Sequence, residues 1–209
     1  MDAVQTIALS LGSGWAAGIN LYAAIASLGI MGASGGMQLP PNLQVLSHPV
    51  VITIAVVMFI VEFFADKVPG FDSIWDGIHT FIRIPAGAIL ASQAVGPIDP
   101  AWQIAAGLAG GTLAGATHAT KAGTRLLINT SPEPFSNWAA SITEDVLVIG
   151  AMWTVLYHPY IFIALLAVCM LFIAWFLPKV WKAVRSIFRW IAGGFRGKPE
   201  QSAPVSAGP

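Results

Sequence analysis

The stretch EFFADKVPGFDSIWDGIHTFIR, residues 62–83, gathers acids, a histidine and two bases into a chain that otherwise avoids charge. Glu62 and Asp66 are four residues apart, so on a helix they share one face. After the Pro69-Gly70 turn, Asp72, Asp76, His79 and Arg83 follow at spacings of four, three and four. At about 100° per residue, those four fall within an arc of roughly 60°. Ile74, Trp75, Phe81 and Ile82 take the opposite positions, which predicts an apolar face for lipid or neighbouring helices. A second stripe, His118, Lys121, Arg125 and Asn129, has spacings of three, four and four, and Glu144 and Asp145 add a further acidic point. Asn20 stands between Gly18 and Tyr22, where its amide can coordinate a ligand or hydrogen-bond a neighbouring helix.

Groups of this kind bind cations, relay protons or grip anions. Six acids (Glu62, Asp66, Asp72, Asp76, Glu144, Asp145) meet four bases (Lys67, Arg83, Lys121, Arg125), which leaves a surplus of two negative charges. His79 and His118 can titrate near neutrality. If a metal binds, Glu62, Asp66, Asp76 and Glu144 are the candidate ligands, and no other cofactor is expected beyond a bound cation. The blander reading makes Asp72 and Asp76 helix-start acids in a solvated loop, with Lys121 and Arg125 as anchors that reach the headgroups.

The elements that must position these residues cross a membrane. Hydrophobic residues make up 56% of the chain and charged residues 10%, and mean hydropathy is +0.73, outside the range of soluble domains. Six apolar runs predict an all-α, polytopic transmembrane bundle of about six spans, at roughly 6–31, 48–68, 71–95, 102–129, 137–157 and 160–178. The first span is expected to remain in the mature protein. Residues 1–178 form the transmembrane domain, 179–198 a basic amphipathic juxtamembrane helix and 199–209 a disordered tail. Cys169, the single cysteine, excludes an internal disulfide and reads as packing. Charge near the bilayer centre costs at least about 2.5–3.5 kcal/mol, so the stripes must face one another or water. The expected result is a polar chamber open to the cytoplasm, with Arg83 its deepest permanent charge.

Six spans put both termini on one side. The basic tail makes that side cytoplasmic, in a multi-pass protein of the cell (inner) membrane. Partners are then the bilayer, anionic lipids at the tail and a small solute or ion, with no footprint for nucleic acid. Gly14-Trp-Ala-Ala-Gly18-Ile-Asn20 resembles Gly111-Thr-Leu-Ala-Gly115-Ala-Thr117. That likeness suggests a 3+3 inverted repeat with broken or Gly-rich helices, or close helix packing alone. The same small-residue faces could join two copies as a homodimer.

GINLY at 18–22, VEFFADKVPGFDSIWDGIHTFIRIPAGA at 61–88 and GATHATKAGTR at 115–125 together resemble an uncharacterised family of small integral membrane proteins, the domain of unknown function 4126. The resemblance covers most of residues 8–175 and is most specific in its second block. It implies a compact polytopic bundle and no activity.

The functional expectation is a small transporter or channel for a cation or proton-coupled solute. Glu62, Asp66, Asp76, Glu144 and Asp145 would bind the cation or carry protons. Arg83, Lys121 and Arg125 would hold those acids or an anionic substrate, and His79 and His118 would sense protonation. The alternative is a membrane enzyme or flippase handling a phosphorylated lipid, with acids on Mg²⁺ and bases on phosphate. No nucleophile with its base and no zinc-ligand spacing occurs, so no catalytic residue is assigned and an enzyme is the weaker choice.

Overall fold

A computed structural model of the chain describes residues 1–130 and 135–195. Arg196, Lys198 and the tail 199–209 lie outside the described residues, as does the 131–134 part of the loop before the fifth span. Among the described residues are six α-helices and one 3-10 helix. They are α1 (Ala3–Ala33), the 3-10 helix Pro41–Ser47, α2 (Pro49–Ala65), α3 (Phe71–Ala94), α4 (Pro100–Ile128), α5 (Phe135–Tyr157) and α6 (Pro159–Phe195). The helices α1, α5 and Pro159–Arg189 of α6 are each long and apolar enough to cross a membrane, and Pro41–Ser47 with α2 qualifies as a pair bent by 67°. At about 1.5 Å per residue, the 24 residues of α3 and 29 of α4 reach as far. Their charged stripes account for their lower hydropathy. The helix count agrees with about six spans.

The interior holds an apolar core around Leu9, Leu28 and Met152 together with the buried charges, and the outside is apolar, as a membrane solvent demands. Phe81, Ile74, Leu171 and Val168 are 83%, 63%, 73% and 65% exposed, whereas Glu62, Asp76, Arg83 and Arg125 are 0% exposed. The apolar face predicted for α3 therefore points outward and its charged stripe inward.

Helix α1 departs most from the expectation, because it folds back on itself. Asn20 leaves the helical region (φ −145°, ψ 97°) and joins two half-helices. The first half descends beside α4 and α3: Ser10 donates to the Ala91 carbonyl, Thr117 Oγ1 to the Trp15 carbonyl and Lys121 Nζ to the Ile19 carbonyl. The second half climbs again, until Gly29 and Gly32 pack on Leu46 and Ser47 at the start of α2. Met1 and Thr6 consequently line the same cavity of about 940 Å³ as Gly32, Gly35 and Pro97. A straight helix of 31 residues would hold its ends roughly 46 Å apart.

Two faces follow from this path. The proline face carries both ends of α1, the 3-10 helix, the α3–α4 turn and the start of α6. The basic face carries the α2–α3 turn with Lys67, the end of α4, and the Lys179–Arg189 part of α6. The start of the chain and the described end of α6 thus lie at opposite ends of the bundle. The expected sharing of one side assumed an unbroken first span, and the reversal at Asn20 changes the parity.

Glycines allow the close approach that this path needs. A Cβ on Gly14 would stand 2.6 Å from Gly110 Cα, and one on Gly18 would collide with the Thr117 hydroxyl and the Ala114 backbone. The two segments proposed as repeats therefore lie side by side, Gly14 with Gly110 and Ile19 with Lys121, and run in the same direction. Inverted copies would run oppositely, so their likeness is explained by shared close packing. The same contacts take, for these small faces of the first and fourth spans, the alternative of packing within one chain. Finally, α6 continues through Pro178 without a break, and Val180 and Val184 are buried, Val180 against Gly123. The basic segment is thus the continuation of the last span, docked on α4.

Candidate functional site

Four helices bring their charges to the tip of the α1 hairpin. Arg83 stands midway along α3 and donates to Glu62 Oε1 of α2 at 2.6 Å and to Asp76 Oδ1, two turns earlier on the same face of α3, at 3.1 Å. Lys121 of α4 reaches Asp66 Oδ2 at 2.8 Å, Glu62 Oε1 at 3.1 Å and the Ile19 carbonyl at 3.1 Å. Glu144 Oε2 and Asp76 Oδ1 are farther from it, at 3.5 and 3.8 Å. Arg125 donates to Glu144 Oε2 at 2.7 Å, to the Asn137 carbonyl at 2.9 Å and to the Asp66 carbonyl at 3.2 Å. The expected chamber is closed in this structure, since these side chains fill it themselves. Glu144 keeps the most exposure, with its side chain 18% accessible.

Lys121 and Arg125 are 5% and 0% exposed, which rules out the reading that they snorkel to headgroups. Their partners explain why burial is tolerated: each cation meets at least two oxygens of opposite charge or a backbone carbonyl. Asp76 likewise belongs to the cluster and not to a solvated loop.

Asp72 is the acid for which the helix-start reading holds. Its Oδ1 accepts from the Gly70 and Ser73 amides and from Asn129 Nδ2, at 2.9, 2.6 and 2.7 Å. It remains tied to the cluster through neutral amides, because Asn137 Nδ2 donates to Asn129 Oδ1 at 2.6 Å and the Asn137 carbonyl accepts from Arg125. Lys67 lies apart in the α2–α3 turn, where it donates to the Phe63 carbonyl and to Ser141.

Asn20 does two jobs at the hairpin tip. Its Oδ1 accepts from the Ala23 amide at 2.9 Å, as an N-cap does, and so starts the returning half-helix. Its Nδ2 donates to Asp145 Oδ1 at 2.9 Å. Lys121 satisfies the Ile19 carbonyl at the end of the descending half. Two of the backbone groups freed by the break, the Ala23 amide and the Ile19 carbonyl, are thus matched, as the membrane interior requires. The hairpin tip is held by residues of the cluster itself.

His79 is fixed by neutral partners, and His118 by the Arg83 guanidinium and the Thr80 hydroxyl. The Trp75 carbonyl can only accept, so His79 Nδ1 carries the proton and Nε2 accepts from the Tyr22 hydroxyl at 3.1 Å. His118 Nδ1 accepts from Arg83 at 3.1 Å, leaving Nε2 to donate to Thr80 Oγ1 at 2.7 Å. His118 therefore belongs to the cluster, whereas His79 flanks it, stacked on Trp75 with ring centroids 4.3 Å apart.

Negative charge remains in excess. Glu62, Asp66, Asp76, Glu144 and Asp145 face Arg83, Lys121 and Arg125, and Asp145 has only the neutral Asn20 as its hydrogen-bond partner. Glu62 Oε2, Asp66 Oδ1, Asp76 Oδ2 and Asp145 Oδ2 are buried without a hydrogen-bond partner. Among the described residues no three His, Cys, Asp or Glu side chains form a metal-ligating group; the expected set Glu62, Asp66, Asp76 and Glu144 instead surrounds the Lys121 ammonium, at 3.1, 2.8, 3.8 and 3.5 Å.

All twelve sequence candidates lie in or beside this region. Sequence reasoning missed Tyr22, Thr80 and Asn137. Thr80 stands four residues after Asp76 and could have been found by spacing, as Asn137 could from its polar position at a span end; nothing local marked Tyr22. Compared with known proteins, the chain matches the pattern of a domain of unknown function (DUF4126) over residues 7–179. No curated protein and no solved structure matches it.

Proposed function

The chain belongs to the family of the domain of unknown function (DUF4126), and from that premise we propose that it is a small membrane transporter or channel for a cation or proton-coupled solute. The family brings no activity with it, so the reading rests on the site. Its main support is the surplus of buried carboxylates, with unpartnered oxygens, at the tip of a helical hairpin. Buried acceptors without donors are costly, and a proton or a cation supplies what they lack. Ionisable residues inside a membrane protein ordinarily mark such a pathway, and broken helices are a recurring way to build its binding site.

In this reading the cavity of about 940 Å³ on the proline face, lined by Thr6, Gln38, Gln44 and Ser47 among others, is the outer vestibule. Its named polar groups are uncharged, and below it the two halves of α1 converge on Asn20. Lys67, Arg125 and the basic part of α6 put the opposite face in the cytoplasm of the cell (inner) membrane by the positive-inside rule. The start of the chain is then on the outside. Lipid-phosphate chemistry fits less well, because Arg83, Lys121 and Arg125 are already engaged by acids and carbonyls.

Proteoliposomes containing a pH indicator test the reading. Under imposed pH, sodium or potassium gradients, the wild-type chain should change the internal pH faster than empty vesicles, and Glu62→Gln or Asp145→Asn should abolish the difference. If wild type is no faster than empty vesicles under all three gradients, the proposal fails.

A further inference from the structure

Lys121 ends in a shell built wholly of oxygens. Its three N–H donors are matched by Asp66 Oδ2 at 2.8 Å, Glu62 Oε1 at 3.1 Å and the Ile19 carbonyl at 3.1 Å. Glu144 Oε2 and Asp76 Oδ1 complete the surroundings at 3.5 and 3.8 Å, near enough to act by charge. The Ile19 carbonyl is the negative end of the descending half-helix, which by itself favours a cation. Beyond these contacts, Glu62 Oε2, Asp66 Oδ1 and Asp76 Oδ2 are buried with no partner, on side chains that are 0%, 2% and 0% exposed. The acceptor capacity around Nζ therefore exceeds what one ammonium uses.

Resting on the ion-site reading above, we infer that this shell is a monovalent-cation site whose resident occupant is the Lys121 ammonium, and that a free cation of potassium or ammonium size takes its place when the side chain withdraws. The size class follows from the distances. Oxygens at 2.8–3.8 Å from the central atom suit a large, weakly ligated ion, whereas a magnesium ion needs about 2.0–2.1 Å in near-ideal octahedral geometry. Lys121 sits four residues from Arg125 and three from His118 on α4, so Arg125 and His118 hold the helix in place, and the four-carbon stem of the lysine has the rotatable bonds that withdrawal requires. The lysine is then a tethered competitor: it keeps the acids compensated when no ion is bound and is displaced when one arrives.

The test uses the full chain in detergent, comparing wild type with Lys121→Ala by thermal unfolding at equal ionic strength in choline, lithium, potassium, ammonium and methylammonium chlorides. Wild type should rise by less than the variant, because its own ammonium competes for the shell. Lys121→Ala should melt low in choline and lithium and rise by about 3–6 °C in potassium, ammonium or methylammonium at roughly ten times the dissociation constant. The charge-balanced Lys121→Ala/Glu62→Gln variant covers the case in which the single variant does not fold, and it too should gain from potassium or methylammonium. If neither variant responds more than wild type, the inference is overturned. Cation-specific stabilisation without any flux would keep this site and remove the transport reading, and flux without cation-specific stabilisation would do the reverse.

Discussion

Replacing Arg83 with glutamine removes the charge from the middle of α3 without leaving a large void. Arg83 is 0% exposed and holds Glu62 at 2.6 Å and Asp76 at 3.1 Å. After the change, both acids still have Lys121, at 3.1 and 3.8 Å, but one ammonium then faces the acids that two cations had shared. Removing one partner of a buried pair costs about 3–5 kcal/mol, chiefly from the charge left behind. For a chain of this size each kcal/mol shifts the melting temperature by about 2–4 °C. Arg83→Gln should therefore melt roughly 6–20 °C below wild type. Arg83→Gln/Glu62→Gln, which neutralises the stranded acid, should recover about half of that loss, a coupling of the size expected for residues in contact. Intrinsic tryptophan fluorescence during heating in micelles reports the transition, since the chain has eight tryptophans. A single variant within about 2 °C of wild type, or a double variant whose loss equals the sum of the two singles, would refute the claim that these charges are mutually dependent.

Asn20→Ala removes both the N-cap oxygen for Ala23 and the donor to Asp145. It should cost about 2–4 kcal/mol by chemical denaturation, the sum of a cap and an unpaired buried carboxylate, and a loss under 1 kcal/mol would remove Asn20 from the hairpin tip. Gly18→Ala must push α1 off Thr117 and Ala114, at roughly 1–3 kcal/mol for overpacking. Gly77→Ala meets nothing within 4 Å on the exposed side of α3 and should stabilise by about 0.5–1 kcal/mol; reversal of that order in thermal melts would contradict the packing described. For the hairpin itself, single cysteines at Asp2 and Ser34 in a Cys169→Ser background should label from one side of the membrane and a cysteine at Ser186 from the other. Labelling of Asp2 and Ser34 from opposite sides would show a straight first span.

Much of this arrangement was legible before the coordinates. The spacing of Asp76, His79 and Arg83 on one side and His118, Lys121 and Arg125 on the other gave two facing stripes. The bilayer's intolerance of unpaired charge required that they meet. The path of α1 was hidden, because a helix broken by one asparagine keeps the hydropathy of a span: Ala3–Ala33 carries no charged residue, and the reversal shows only in the backbone angles of Asn20 and in the contacts of the two halves. The expectation for the termini rested on an unbroken first span, since parity counts crossings. The closing of the chamber was hidden for a different reason. Composition shows how many charges must be compensated, whereas whether water or other side chains do so depends on distances of a few ångströms between helices far apart in sequence. The role of Asp72 as a helix-start acid was one of two readings, and the Gly70 and Ser73 amides decide it.

The central claim is that the buried acids at the hairpin tip carry an ion or a proton across the bilayer. Asp145 addresses it most directly, because its hydrogen-bond partner is the neutral Asn20, and Asp145→Asn therefore removes charge while breaking no ion pair. Currents or internal pH changes should be recorded from proteoliposomes holding equal amounts of wild type and Asp145→Asn, each first shown to unfold at a similar temperature. The account predicts flux above empty vesicles for wild type and none for Asp145→Asn. Equal flux from the two proteins would contradict it.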